Sequence, residues 1–289
     1  MRAFDYVRPD TLEEALTLLR QHGTRARLLA GGTDLIVRLR RRQVQPVIVI
    51  DVKRAARLRT DVVEVDSRLR IGANAVITDI LADPRIRHHF PALVDAGAVV
   101  GSIQIRNRAT LTGNICNASP AADTAPALLV YGAIVNAISA SSERAIALAD
   151  FFAGPGRTVL EAGEMVSSID LPLPAQPTGA AFGRVTRRFG VDLAVVNMCC
   201  AVNATGETRM AFGAVGPRPF LVADDTRTLA SRSAPDAVRD DALQRLIAHA
   251  TPVSDVRGSR DYRLAMLTAV GRRTIDAAID RLQRSTSRS

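Results

Sequence analysis

Two polar, glycine-containing segments hold the residue types in this chain that could do chemistry. The first reads Leu29-Ala30-Gly31-Gly32-Thr33-Asp34-Leu35-Ile36. Paired glycines let the backbone take positive φ and approach a ligand with no Cβ in the way. Successive exposed N–H groups in such a turn form a nest for an anion, phosphate above all. Thr33 or Asp34 at the start of a following helix would add that helix's first amides to the donors. The second runs Arg106-Asn107-Arg108-Ala109-Thr110-Leu111-Thr112-Gly113-Asn114-Ile115-Cys116-Asn117-Ala118-Ser119-Pro120-Ala121-Ala122-Asp123. Asn114, Asn117, Ser119 and Asp123 are costly to collect for packing alone, because each buried polar group needs a partner. Asp123 can accept hydrogen bonds from ribose hydroxyls, and Gly113 permits close approach. Taken singly, each segment also reads as an ordinary connection, since Gly-Gly turns are common.

Other chemistries lack their residues. No G-x-x-x-x-G-K-[ST] loop is present, so a P-loop nucleotide site is excluded. Gly154-Pro155-Gly156-Arg157-Thr158 lacks the third glycine of a dinucleotide fingerprint and follows no obvious strand. His22, His88, His89 and His249 are scattered, and no G-x-S-x-G elbow occurs, which leaves metal hydrolysis and triad catalysis without support. Cys116, Cys199 and Cys200 form no C-x-x-C pair, too few for a zinc or iron–sulfur site and unsuited to a disulfide framework. No catalytic side chain and no metal ligand is expected.

The elements around these segments are legible in outline. Thr11-Leu12-Glu13-Glu14 is a capping box opening a helix through Leu19, and Arg27-Leu28-Leu29-Ala30 runs straight into the glycine pair. Val47–Ile50 reads as a buried strand, and Val62–Val65 with Leu69–Gly72 as a hairpin around Asp66-Ser67. Thr78 is expected to cap the next helix, with another over Phe90–Val100. The stretch from Asn107 to Asp123 loses periodicity and reads as a long functional loop. A helix near Pro126–Val130 precedes strands around Ile134–Ala140 and Arg144–Leu148. Pro172, Pro174, Pro177 and Gly179 mark a linker. Beyond it lie three strand-like runs, Ala180–Arg188, Leu193–Ala204 and Thr208–Val215, then helices over Pro235–Ala250 and Ser259–Gln283. The expected class is α+β, divided as 1–176 and 177–289.

Composition narrows the choice further. At 289 residues with 47% hydrophobic content, the chain can bury one large or two medium cores. No apolar run reaches the ~20 residues of a membrane span, and Met1–Tyr6 lacks a secretory signal, so a cytoplasmic location is expected. The net charge of +9 invites a nucleic-acid interpretation. Its arginines are spread out, however, and 4% aromatic content leaves little for base stacking. A solvated face or an acidic protein partner fits better, and no nucleic acid is expected.

At this point the motifs become specific. Ala30-Gly31-Gly32-Thr33-Asp34-Leu35, the Arg106–Asn114 stretch and Ala118-Ser119-Pro120-Ala121-Ala122-Asp123 resemble the FAD-binding (medium) subunit of molybdenum hydroxylases. That family includes the carbon monoxide dehydrogenase medium subunit and the flavin domain of xanthine dehydrogenase. The likeness spans nearly the whole chain, from Phe4-Asp5-Tyr6-Val7-Arg8-Pro9 through Gly163-Glu164-Met165-Val166 and Phe182–Arg188 to Pro252–Arg257 and Tyr262-Arg263.

The resemblance implies a PCMH/vanillyl-alcohol-oxidase-type FAD-binding domain of two subdomains. A C-terminal domain of three-stranded antiparallel sheet and helices would follow. Residues 29–36 would wrap the pyrophosphate. Thr110, Leu111, Thr112, Gly113 and Asn114 would form a second FAD loop completed by Ser119 and Asp123. Val100 and Val166 would lie against the cofactor, and Arg184 near the flavin. The FAD would be noncovalent, as the Gly31–Asp34 loop holds no His or Cys. Molybdopterin and [2Fe–2S] centres would sit on a large and a small partner subunit, in a heterotrimer dimerised to a heterohexamer. Electrons would pass through FAD to NAD, oxygen or a quinone. A free-standing FAD-dependent oxidoreductase on the same scaffold is the alternative. Two departures stand out: Thr112 stands where relatives often carry a glycine, and Leu193 aligns where some relatives place an aromatic over the flavin, which leaves the acceptor open.

Overall fold

A computed structural model describes residues 2–286. The first lobe contains β1 (Asp5–Val7), α1 (Leu12–His22), β2 (Ala26–Leu29), α2 (Leu35–Arg40) and β3 (Ile48–Asp51). Its three strands are parallel in the order β1-β3-β2. All four residues of β3 are buried, as expected for a strand flanked on both edges and covered by a helix. Thr11 Oγ1 accepts the Glu14 N–H at 3.1 Å and starts α1, whose Leu12, Ala15, Leu16 and Leu19 form its buried face. β2 then delivers the chain directly to the glycine pair.

The second lobe follows: β4 (Val62–Val65), β5 (Arg68–Gly72), α3 (Ile77–Ala82), α4 (Pro84–His89), α5 (Pro91–Ala98), α6 (Ile103–Arg106), α7 (Leu111–Cys116), α8 (Thr124–Val130), β6 (Ile134–Ile138), β7 (Glu143–Ala147), α9 (Leu148–Phe151), β8 (Phe152–Gly154), β9 (Arg157–Thr158) and β10 (Met165–Pro172). A five-stranded antiparallel sheet runs β4-β5-β10-β6-β7, packed against α5, α7 and α8 around Phe90, Leu93, Leu128 and Phe151. The hairpin at Asp66-Ser67 is present, with both residues at positive φ.

Three expectations need correction here. Thr78 does not cap α3: Val76 does, and the Thr78 hydroxyl donates to Asn107 Oδ1 at 2.6 Å. The 107–123 stretch is not all loop. Thr110 Oγ1 accepts the Gly113 N–H at 3.0 Å and starts the short helix α7. Finally, Pro172, read as the first residue of the linker, instead closes β10, the central strand of the sheet. Asp170 faces a bidentate partner in Arg70 of β5, with both N–H···O distances 2.8 Å, so a polar residue is stabilised inside the sheet.

The remainder holds β11 (Thr178–Val185), β12 (Val196–Asn203), β13 (Thr208–Gly213), β14 (Phe220–Asp224), α10 (Asp236–Ile247) and α11 (Arg260–Thr286). The antiparallel sheet has four strands in sequential order, one more than the three expected. Gly216-Pro217-Arg218-Pro219 immediately precedes β14, and such punctuation hides a short strand. α11 lies along β11 and β12. A Cβ on Gly179 would overlap the Ala278 carbonyl and the Leu282 amide, so glycine is what lets the helix settle this closely.

Candidate functional site

A cleft of about 900 Å³ opens where the three units meet. Its wall from the first lobe is the 30–35 turn. The second lobe adds Asn74, Val100, Gly101, Ala109, Thr110, 112–114, Ser119, 121–123 and Val166, and the C-terminal unit adds Val191, Asp192 and Leu193 at the mouth. The two glycine segments, 77 residues apart when counted from Gly32 to Ala109, meet face to face. A Cβ on Gly31 would overlap the Arg108 carbonyl and crowd the Ala109 Cα, so this position requires glycine to let backbone pass backbone. Gly32 differs: it sits at φ 77°, a conformation costly for any other residue.

The turn is chemically open. Among the described residues, no acceptor takes the amides of Gly31, Gly32, Thr33, Asp34 or Leu35; the first bonded donor of the following helix is Ile36 N–H, to Gly32 O at 3.1 Å. Asp34 is the N-cap of α2, but its side chain makes no capping bond. Partial desolvation pushes its carboxyl above the usual carboxylate range, and Arg38 opposes that rise. Five consecutive unbonded amides at a cleft wall make an anion-binding nest.

Three buried polar atoms in the cleft lining also lack hydrogen-bond partners, Thr112 Oγ1, Asn74 Oδ1 and Asp192 Oδ2, although the last is ion-paired with Arg187 Nε at 3.7 Å. Native proteins seldom leave such atoms unsatisfied without a ligand or water to meet them. The opposite wall is firmly held. Asn114 Oδ1 accepts the Thr124 hydroxyl at 2.6 Å, and Ser119 Oγ accepts the Ala121 N–H at 3.3 Å. Asp123 is 8% exposed and takes two bonds from the C-terminal unit, from Arg184 at 2.9 Å and Asn197 at 2.8 Å. Burial raises its carboxyl, while Asn197 and Arg184 lower it.

Most of the residues singled out in the sequence converge here: Ala30, Gly31, Gly32, Thr33, Asp34, Leu35, Val100, Thr110, Thr112, Gly113, Asn114, Ser119, Asp123 and Val166 all line the cleft. Four lie beside it instead. Leu29 packs against Leu39, Val44 and Val49, and Leu111 is buried in the second-lobe core. Ile36 points outward on α2, and Arg184 stands behind Asp123. Asn74 carries no motif, although an asparagine just past a strand in the run Ala73-Asn74-Ala75 is a usable signal. Cys116 lines the cleft as a thiol that burial pushes up to about 12, hence an inert one. Glu164 is engaged by Arg144 at 2.7 and 2.8 Å, which leaves it poorly placed for proton transfer.

Comparison with known proteins identifies the family. Residues 2–174 match the family described as FAD binding domain in molybdopterin dehydrogenase, and residues 180–278 the CO dehydrogenase flavoprotein C-terminal domain. The xanthine dehydrogenase FAD-binding subunit of Escherichia coli O157:H7 is 30% identical over 287 residues, 95% of each chain. The carbon monoxide dehydrogenase medium chain of Hydrogenophaga pseudoflava is 32% identical over 280 residues, covering 95% of this chain and 96% of the relative. Among solved structures, reconstituted CO dehydrogenase from Oligotropha carboxidovorans superposes with TM-score 0.90 at 26% identity, covering 97% and 99% of the two chains.

Proposed function

The chain belongs to the FAD-binding subunits of molybdenum hydroxylases, and from that premise we propose that it is the flavoprotein relay of such a complex, standing between iron–sulfur centres on a partner subunit and an external acceptor. The observation that carries this is the run of five unbonded amides facing a polar wall across one cleft. Those amides, from Gly31 to Leu35, would hold the diphosphate of FAD. Asp123 and Asn114 offer acceptors to its hydroxyls, and Thr112 Oγ1 and Asn74 Oδ1 stand ready for partners. Val100 and Val166 supply apolar surface against its rings. FAD supplies the redox chemistry, and the chain orients it and excludes water.

Noncovalent attachment follows from the lining, which contains no histidine and one deeply protonated cysteine. The rim supports a multi-subunit setting. Phe189, Val191, Leu193 and Val256 are exposed around the mouth, and Arg187 holds the two rim loops together through the Val256 carbonyl at 3.3 Å. Exposed apolar clusters of this kind mark protein contacts. A small iron–sulfur subunit at that rim, a large molybdopterin subunit beyond it, and pairing of the trimer to a heterohexamer complete the proposed assembly. NAD, oxygen or a quinone would be the acceptor. The chain is proposed to divide at 176/177, in the short segment between β10 and β11.

The test is a flavin-depleted complex. Substrate should still reduce the iron–sulfur centres, while turnover with the external acceptor is lost and returns on adding FAD. Acceptor turnover that survives flavin removal contradicts the relay.

A further inference from the structure

Arg184 projects from β11, directly opposite Asn197 on β12 in the sheet register. Its guanidinium is absent from the cleft lining. Nη1 donates to Asp123 Oδ2 at 2.9 Å and reaches the Val99 carbonyl at 3.4 Å, while Nη2 reaches the Gly190 carbonyl at 3.4 Å. Asn197 is fully buried, and its Nδ2 donates to Asp123 Oδ1 at 2.8 Å and to the Ala121 carbonyl at 3.4 Å. The Ala214 amide adds a bond to the Pro120 carbonyl at 2.7 Å. One arginine and one asparagine thus brace three stretches of cleft wall, at 99–101, 119–123 and 190–193. They also give each oxygen of Asp123 one donor, so each keeps a further lone pair, and Asp123 itself lines the cleft.

We infer that Arg184 and Asn197 are positioning residues through which the C-terminal unit sets the affinity of the cleft for FAD, acting by way of Asp123 and without touching the cofactor. The inference rests on the cleft being the FAD site. Planar, forked donors suit this task, since a guanidinium can hold a carboxylate and two carbonyls in one fixed arrangement. It also carries a pH signature. Arg184 is the charged group acting on Asp123 among the described residues, and Asn197 is neutral. Burial favours the protonated acid and Arg184 opposes it, so removing Arg184 moves the carboxyl's titration to higher pH. Affinity that depends on the ionised carboxylate is then lost at a higher pH than in the wild type.

The decisive experiment is a double-mutant cycle on FAD affinity in the full chain, using Arg184→Met, Asp123→Asn and the pair, with a pH profile for each. Arg184→Met should weaken FAD about 10- to 100-fold, the cost of losing a hydrogen bond to a charged group. Its loss of affinity on acidification should begin at higher pH, and Arg184→Lys should recover part of the affinity. The double variant should bind no worse than Asp123→Asn alone. Additive losses, or an unshifted pH profile in Arg184→Met, would mean that Arg184 acts by its own contact and would overturn the inference. Should Arg184→Met not fold, the same cycle with Arg184→Lys decides it. A wild-type chain that takes up no FAD overturns the underlying assignment of the cleft instead.

Discussion

At the scale of single residues, the adjacent glycines are needed for different reasons, and substitution separates them. Gly31 faces backbone, the Arg108 carbonyl and Ala109 Cα, neither of which can swing aside. Gly31→Ala should therefore push the two segments apart, costing about 1–3 kcal/mol in thermal unfolding and most of the bound FAD. Gly32 faces the side-chain ends of Leu29 and Ile36, at 2.8 and 3.2 Å from a built Cβ, so crowding there is relieved easily. Its requirement is the positive φ, and Gly32→Ala should cost about 1–2 kcal/mol while re-aiming the nest amides. Flavin occupancy should fall in both variants, but stability more in Gly31→Ala; the reverse order would contradict this division. The cysteines give a second residue-level test. Burial raises all three thiols, Cys116 to about 12, and only the thiolate reacts. A thiol reagent at about pH 8 should label the native chain slowly and all three cysteines after unfolding. Rapid native labelling would show that the cleft floor is open to solvent.

At the scale of elements, α11 on β11 shows what a strand must give up to seat a long helix. Gly179→Ala would press a methyl into the Ala278 carbonyl and Leu282 amide, and should lower stability by about 1–3 kcal/mol without altering the affinity of the remaining folded chain for FAD. A melting temperature equal to wild type would mean the helix sits farther from the sheet than described. The same comparison explains what was readable in advance. Local signals carried α1, the Asp66-Ser67 hairpin and β12, because a cap, a turn and an apolar run each declare themselves within a few residues. β10 did not, since Ser168 and Asp170 are polar residues made acceptable by Asn136 and Arg70, partners supplied from elsewhere in the chain. The cleft followed the same rule. Both glycine segments were legible as candidate ligand loops and both line the cleft, but their contact across Gly31 and Arg108, and the hold of Arg184 on Asp123 from 61 residues away, depend on tertiary docking.

At the scale of the whole molecule, the cleft belongs to no single unit. The first lobe supplies anion donors, the second supplies acceptors and apolar surface, and the C-terminal sheet braces the acceptors from behind. No described helix is long and apolar enough to cross a membrane. A ligand that bridges all three units should stabilise the fold as a whole: at about 100 times its dissociation constant, FAD should add ~2.7 kcal/mol and raise the melting temperature in a single transition. The claim beneath everything else is that main-chain N–H groups grip a flavin dinucleotide at its diphosphate. Determining the structure of this chain with FAD bound tests it most directly. Diphosphate oxygens should lie within hydrogen-bonding distance of the amides between Gly31 and Leu35, with a ribityl or ribose hydroxyl on Asp123; FAD seated elsewhere, or those amides turned away from it, would contradict the account.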